Sequence, residues 1–132
     1  MSDTVIICIA LMGALIFVLG ANVTRHRAMR GKSGGPQAST DPTDRLLIAQ
    51  RAHGNAAEYV PTLIGLLVVC STLTDGWWLN TLAVVATVAR YVHATGMLTS
   101  KSLAEHGPVR DSGAMFTYLS GLALAVTAIA SL

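Results

Sequence analysis

Four apolar stretches constrain the fold of this chain more than any other feature. They cover residues 4–23, 52–74, 77–98 and 113–132, and each has about the 20 residues that a transmembrane helix needs. Charged residues make up only 12% of the chain, about half of the roughly 25% found in soluble domains. The sequence therefore predicts an all-α membrane protein, a single domain over residues 1–132 built as a bundle of four transmembrane helices.

The distribution of positive charge predicts the orientation of this bundle. All nine Lys and Arg residues lie between Arg25 and Arg110, mostly after the first and third apolar stretches. The turn after the second stretch carries only Asp75. Because Lys and Arg are retained on the cytoplasmic side, we expect two cytoplasmic loops and both termini outside the cytoplasm. The N-terminus lacks the positive charge of a signal peptide, so we expect the first stretch to be a true span.

Helix boundaries follow from capping residues and prolines. Asp41 and Pro42 predict the start of the second helix, with Asp41 as N-cap and Pro42 as its first residue. The helical pattern then continues to about Thr74, and Pro61 should kink it. Residues 101–112 are polar, so we expect Arg110 to lie in the loop that leads into the fourth span.

The two cysteines do not point to a metal site. Cys8 and Cys70 both lie inside apolar stretches, where a free thiol behaves as a small hydrophobic group. We interpret them as buried thiols; a disulfide near the outer ends of two neighbouring helices is the alternative. We expect neither a metal ion nor a nucleic-acid partner.

A polar string at the mouth of the second span is the main candidate for a functional site. It reads R-A-H-G-N-A-A-E-Y-V-P from Arg51 to Pro61. Arg51, Asn55 and Glu58 have i, i+4 and i+7 spacing and share one helix face, whereas His53 lies on the opposite face. Ionisable side chains at this depth are costly and usually mark a functional site.

Further polar residues converge on the same membrane face. Arg90 and His93 lie one turn apart near the end of the third span, and Arg110 precedes the fourth. Structural interpretations exist for each: Arg side chains can extend to the lipid headgroups, and Arg90 could pair with Glu58. Asn55 and His53 could be interhelical hydrogen-bond partners, and Arg110 alone could be a topology charge.

Taken together, these groups suit a small ligand that carries both signs of charge. Arg forks bind carboxylates, Glu58 would bind an ammonium group, and Asn55 would bind amides. Glutathione has this layout, and a nearby Arg would favour its thiolate. The spacing alone does not distinguish glutathione from other polar ligands.

Three motifs resemble those of the MAPEG family, the membrane-associated proteins of eicosanoid and glutathione metabolism. They are the string at 51–61, A-R-Y-V-H at 89–93 and P-V-R at 108–110, in order along a chain with four spans and a basic first loop. The string is the most specific of the three. It is most similar to that of the small bacterial members, so the resemblance implies the inner membrane of a bacterium.

The resemblance also implies an assembly, a cofactor and roles for residues. It implies a homotrimer that binds glutathione as co-substrate at subunit interfaces near the cytoplasmic face and takes a lipophilic small molecule from the bilayer. Arg110 matches the Arg that stabilises the glutathione thiolate in active members. The positions that match glutathione contacts of the family are Arg25, Arg51, Asn55, Glu58, Arg90 and His93. His53 matches the motif, but its helix face favours a structural role.

The chain departs from the animal enzymes of the family at two positions. Gly54 stands where some of them carry a second Arg, and Met97 stands where they carry a Tyr. The first alternative to a transferase or peroxidase is therefore a non-catalytic lipid-binding or scaffold member. A small multidrug exporter driven by protons at Glu58 is a more distant alternative, because such exporters need the carboxylate in the first span.

Overall fold

A computed structural model describes all 132 residues, Met1–Leu132. The chain forms four helices: α1 (Asp3–Lys32), α2 (Arg45–Leu73), α3 (Trp77–Thr99) and α4 (Pro108–Ala130). All four are long and apolar enough to cross a membrane, and the chain has no strand. The prediction of an all-α bundle with four membrane-spanning helices is confirmed.

Helix α1 extends well beyond its apolar stretch. Its 30 residues span about 45 Å, more than the roughly 30 Å of a bilayer core. The basic residues at positions 25–32 therefore form its last two turns and stand outside the hydrocarbon. The chain then reverses at Gly34, whose φ of 69° is a left-handed conformation that favours glycine.

The start of α2 differs from the predicted one. The N-cap is Asp44, whose carboxylate accepts the backbone N–H of Leu46 at 2.7 Å. Asp41 instead accepts the backbone N–H and the hydroxyl of Thr43, at 2.9 and 2.8 Å. This local turn uses the Asp41 side chain before it can cap a helix. The prediction of Asp41 as N-cap is therefore wrong, and the helix begins at Arg45.

Asp44 also joins α2 to the end of α1. Its carboxylate lies 2.6 Å from the Arg30 guanidinium, and the Asp44 side chain is only 11% exposed. The hydrogen bond from Arg30 lowers the pKa of the Asp44 carboxyl to about 2 from the ordinary 3.8. Because the folded-state pKa is the lower one, the pair stabilises the fold fully above about pH 4 and loses this effect as the pH falls toward 2.

Asp44→Asn tests this ion pair. Asn keeps the N-cap but removes the charge, so we expect a loss of about 1 kcal/mol in the free energy of unfolding at pH 7, the usual size for an ion pair at the protein surface. The measurement is thermal unfolding in detergent at several pH values, with the exposed Asp75→Asn as control. A wild-type midpoint for Asp44→Asn at pH 7 would contradict the assignment.

The core of the bundle is apolar and includes both cysteines. Cys8 and Cys70 are free and buried, in agreement with the favoured interpretation. The cluster contains residues of all four helices, among them Val5 in α1 and Leu124 in α4. Its apolar character is expected, because a buried polar group without a partner is costly at membrane depth.

Helices α3 and α4 touch through glycines. A Cβ atom on Gly113 would lie 2.4 Å from the backbone nitrogen of His93, and one on Gly96 would lie 2.5 Å from that of Arg110. Only a residue without a side chain allows the two backbones this approach. The two glycines therefore fix how His93 and Arg110 sit relative to each other.

The α1–α2 loop (residues 33–44) and the α3–α4 loop (residues 100–107) lie together at one end of the bundle, which we call the loop end. The backbone N–H of Leu103 donates to the Pro42 carbonyl at 2.9 Å. The Arg45 guanidinium donates to the carbonyls of Leu98 and Ser100. Shared contacts thus hold together the ends of the four helices at the loop end.

Candidate functional site

Arg51, Asn55 and Glu58 form a stripe on the outer surface of α2, which we call the polar stripe. Arg51 and Glu58 are exposed and Asn55 is half-buried, while Ala52 and Ala56 between them pack into the core. Counting about 20 residues back from the end of α2 places the boundary of its span near residue 54. Glu58 therefore lies inside the apolar part of the helix, on a surface that the chain itself leaves uncovered.

Arg90 lies behind the polar stripe, inside the bundle. It is only 1% exposed, and its Nη2 donates to Asn55 Oδ1 at 2.7 Å. Its Nη1 donates to the Thr117 hydroxyl at 3.4 Å, and its guanidinium lies 5.4 Å from the centre of the Tyr59 ring. Arg90 thus links α2, α3 and α4. It neither pairs with Glu58 nor extends to the headgroups, so neither structural interpretation from the sequence describes it.

His93 connects α3 to the first turn of α4. It is 7% exposed, and its Nδ1 lies 2.8 Å from the carbonyl oxygen of Arg110. A carbonyl only accepts, so Nδ1 carries the proton and donates. This leaves Nε2 as an acceptor, buried and without a partner in the chain. His93 therefore holds the backbone of the residue proposed for catalysis.

Arg110 lies in a helix, and the prediction that it belongs to a loop is wrong. Helix α4 begins at Pro108, which occupies the first helical position, where its missing N–H costs nothing. The Arg110 side chain is 16% exposed. Its Nη2 donates to the Glu105 carbonyl at 2.8 Å and its Nη1 to the Leu103 carbonyl at 3.4 Å. Its Nε lies 3.8 Å from the Asp111 carboxylate.

Arg25 and His53 make no contact with the polar stripe. Arg25 is exposed on α1 and donates to Asn22 on the same helix. His53 faces α1, where a Cβ atom on Gly20 would lie 3.4 Å from its Nε2. It borders a groove of about 640 Å³ between α1 and α2. The face predicted for His53 is confirmed, and no contact within the chain brings Arg25 to the stripe.

Sequence reasoning missed the tyrosine pair next to the polar stripe. The hydroxyls of Tyr59 and Tyr118 lie 3.4 Å apart, and their ring centres are 5.6 Å apart. The pair borders an almost wholly apolar groove of about 370 Å³ between α2 and α4. The position of Tyr59 beside Glu58 was the available signal. Such a groove can accept the apolar chain of a ligand whose polar end lies near the polar stripe.

Gly54 and Met97, the two positions predicted to depart from the animal enzymes of the resembled family, differ in their surroundings. A Cβ atom on Gly54 would have no atom within 4 Å, so this position has room for a side chain. Met97 is buried at 7% exposure in the core. Gly54 therefore leaves open space near the polar stripe, whereas Met97 contributes to packing.

These features define a multi-pass α-helical membrane protein with a polar site near the loop end. A sequence profile of the MAPEG family matches residues 5–130 of the 132-residue chain, and the chain belongs to that family. Membership indicates a glutathione-related function at a membrane. A comparison with curated proteins found no match.

Proposed function

We propose that this protein is a membrane glutathione transferase or peroxidase that acts on lipophilic electrophiles. The observation that carries the proposal is the polar stripe on a chain of the MAPEG family, with Arg51 and Glu58 facing outward from a membrane-spanning helix. Exposed ionisable groups at this depth are stable only against protein or a wet cavity. A charged ligand at a subunit interface supplies both conditions.

The stripe fits the functional groups of glutathione. Arg51 binds a carboxylate, and Glu58 binds the ammonium group. Because Asn55 Oδ1 accepts from Arg90, the Asn55 amide N–H groups remain free to donate to a peptide carbonyl. Arg90 would then act on glutathione mainly by orienting Asn55, and a direct contact of Arg90 with a carboxylate stays a prediction.

His93 and Arg110 fit the cysteine end of glutathione. Because Nε2 of His93 is buried, His93 would act on glutathione mainly by holding the Arg110 backbone through Nδ1, and a direct contact of Nε2 with a peptide N–H stays a prediction. Arg110 stabilises the thiolate, since a nearby cation lowers the pKa of a thiol. In conjugation, the thiolate sulfur forms a bond to the electrophilic carbon, and the leaving group departs with the electron pair of the bond that breaks.

We infer a homotrimer in which neighbouring subunits complete the site. Arg25 lies on α1, away from the stripe of its own chain, so it would bind the second carboxylate on the stripe of a neighbour. This arrangement also covers Glu58 with protein. The lipophilic substrate would enter from the bilayer between subunits, where the groove beside Tyr59 and Tyr118 is open.

The proposed location follows from the charges and from the ligand. The loop end carries most of the Lys and Arg residues, so it lies in the cytoplasm and both termini lie outside. Glutathione is a thiol of reducing compartments, in agreement with a site at this end. We propose the inner membrane of a bacterium.

Calorimetric titration with glutathione in detergent tests the binding site. We expect wild-type protein to bind glutathione, and Arg51→Gln and Glu58→Gln to weaken binding at least about tenfold, because each loses a charged hydrogen bond. Lys32→Gln is the matched control, since Lys32 is exposed at the end of α1. No binding at millimolar glutathione, or equal weakening in Lys32→Gln, would refute the proposal.

A non-catalytic lipid-binding member is the second candidate. It is favoured by the contacts of Arg110, whose guanidinium already donates to two loop carbonyls. The apolar groove beside the tyrosine pair would hold the lipid chain. Glutathione binding without turnover, unchanged by Arg110→Ala, would support this candidate over the enzyme.

A further inference from the structure

Leu103 connects the two loops of the loop end to Arg110. Its backbone N–H donates to the Pro42 carbonyl at 2.9 Å, and its own carbonyl accepts from Arg110 Nη1 at 3.4 Å. Leu103 is therefore hydrogen-bonded through its N–H to the α1–α2 loop and through its carbonyl to the Arg110 guanidinium. Any shift of the α3–α4 loop is transmitted to the Arg110 side chain.

Arg45 fixes the point where this loop leaves α3. Its Nη1 donates to the carbonyl of Leu98 at 3.3 Å and to that of Ser100 at 3.1 Å. The last carbonyls of a helix lack partners within the helix, and a cation stabilises that end. Arg45 is the first residue of α2, so it joins the start of α2 to the end of α3.

We propose that Arg45 is a positioning residue for Arg110 and acts through the α3–α4 loop. The inference rests on the proposed function of Arg110. An Arg side chain has five N–H donors, two on each Nη. Leu103 and Glu105 take one donor from each Nη of Arg110, so the loop decides where the remaining Nη donors point. Those donors are the ones available to a thiolate.

The loop contacts matter because thiolate stabilisation depends on direction and distance. A displacement of about 1 Å at a catalytic group can reduce a rate by up to about 100-fold. The charged and titratable groups around Arg110 are Asp111 on α4, His93 on α3, and Lys101, Glu105 and His106 in the loop. Arg45 touches none of them, so its replacement alters the position of Arg110 without removing a neighbouring charge.

The first experiment compares Arg45→Gln with Lys32→Gln by the pH profile of conjugation. Lys32 is exposed at the end of α1, so its variant makes the same change of charge without the contacts. For Arg45→Gln we expect kcat to fall about tenfold and the pKa of bound glutathione to rise, with glutathione binding kept within about twofold. Arg45→Lys should restore part of kcat, because an ammonium group reaches one carbonyl.

The second experiment measures amide hydrogen exchange of Leu103 without glutathione. We expect about tenfold faster exchange in Arg45→Gln than in wild type or Lys32→Gln, because the loop opens more often. If the wild-type protein binds no glutathione, the proposed function fails while the exchange result still tests the loop contact. Unchanged Leu103 exchange, or an unchanged thiol pKa in a protein that does bind glutathione, overturns the role of Arg45. If Arg45→Gln does not fold, Arg45→Lys is judged by the same two readouts.

Discussion

Replacing Arg110 by alanine should lower the rate of glutathione conjugation about 100-fold or more while leaving glutathione binding nearly intact. A positioned cation that stabilises developing negative charge contributes this much in other enzymes. The carboxylates and the ammonium group of glutathione are assigned to other residues, so they should still bind. The measurement is kcat and the glutathione dissociation constant of Arg110→Ala with a lipophilic electrophile in detergent.

Two further variants separate the charge of Arg110 from its contacts. Arg110→Lys keeps a cation but loses the fork that bonds Leu103 and Glu105, so it should retain only part of the activity. Lys32→Gln should have wild-type kcat. Full activity in Arg110→Ala would remove Arg110 from the mechanism and would favour a non-catalytic role.

Gly113→Ala should prevent or strongly destabilise folding. Its Cβ atom would lie 2.4 Å from the His93 nitrogen and 2.6 Å from the His93 Cα, which are backbone atoms that cannot move aside. Overpacking usually costs about 1–3 kcal/mol. Because the Cβ atom would clash with backbone atoms, we expect a cost of about 3 kcal/mol or more in the free energy of unfolding. The two helices would have to separate, and His93 would lose its bond to Arg110.

The matched control for this prediction is Gly13→Ala in α1. A Cβ atom at Gly13 has no neighbour within 4 Å, and alanine favours a helix over glycine by about 1 kcal/mol. We expect Gly13→Ala to unfold at or above the wild-type midpoint in detergent and Gly113→Ala to unfold well below it. Equal midpoints would show that α3 and α4 are not in backbone contact at this position.

The sequence predicted the features that depend on local pattern. The four spans followed from the length of the apolar stretches, and the shared helix face of Arg51, Asn55 and Glu58 followed from helical periodicity. The face of His53 followed from the same periodicity. These predictions needed no knowledge of how the helices pack.

The features that the sequence did not predict depend on competing local bonds or on tertiary contacts. Asp41 and Asp44 are both good N-caps, and the bond of Asp41 to Thr43 together with the Arg30 ion pair decides between them. The helix at Arg110 was missed because polar composition outweighed Pro108 as a start signal.

Arg90 shows that a sequence pattern cannot predict the partners of a buried side chain. Its partners Asn55 and Thr117 lie 35 and 27 residues away along the chain, so no spacing rule could assign them. The hydrogen bond from His93 to the Arg110 carbonyl could not be predicted for the same reason, because it requires the close approach of α3 and α4. A pattern on one helix cannot indicate which atom of a neighbouring helix it meets.

The most direct test of the account is the ultraviolet difference spectrum of the protein mixed with glutathione, recorded across the pH range. A thiolate absorbs more strongly than a thiol, so the spectrum reports both binding and activation. We predict a saturable thiolate signal at pH 7, with a thiol pKa below the ordinary value of about 8.5, and its loss in Arg110→Ala. A thiol that ionises in the presence of the protein as it does in buffer would contradict the account.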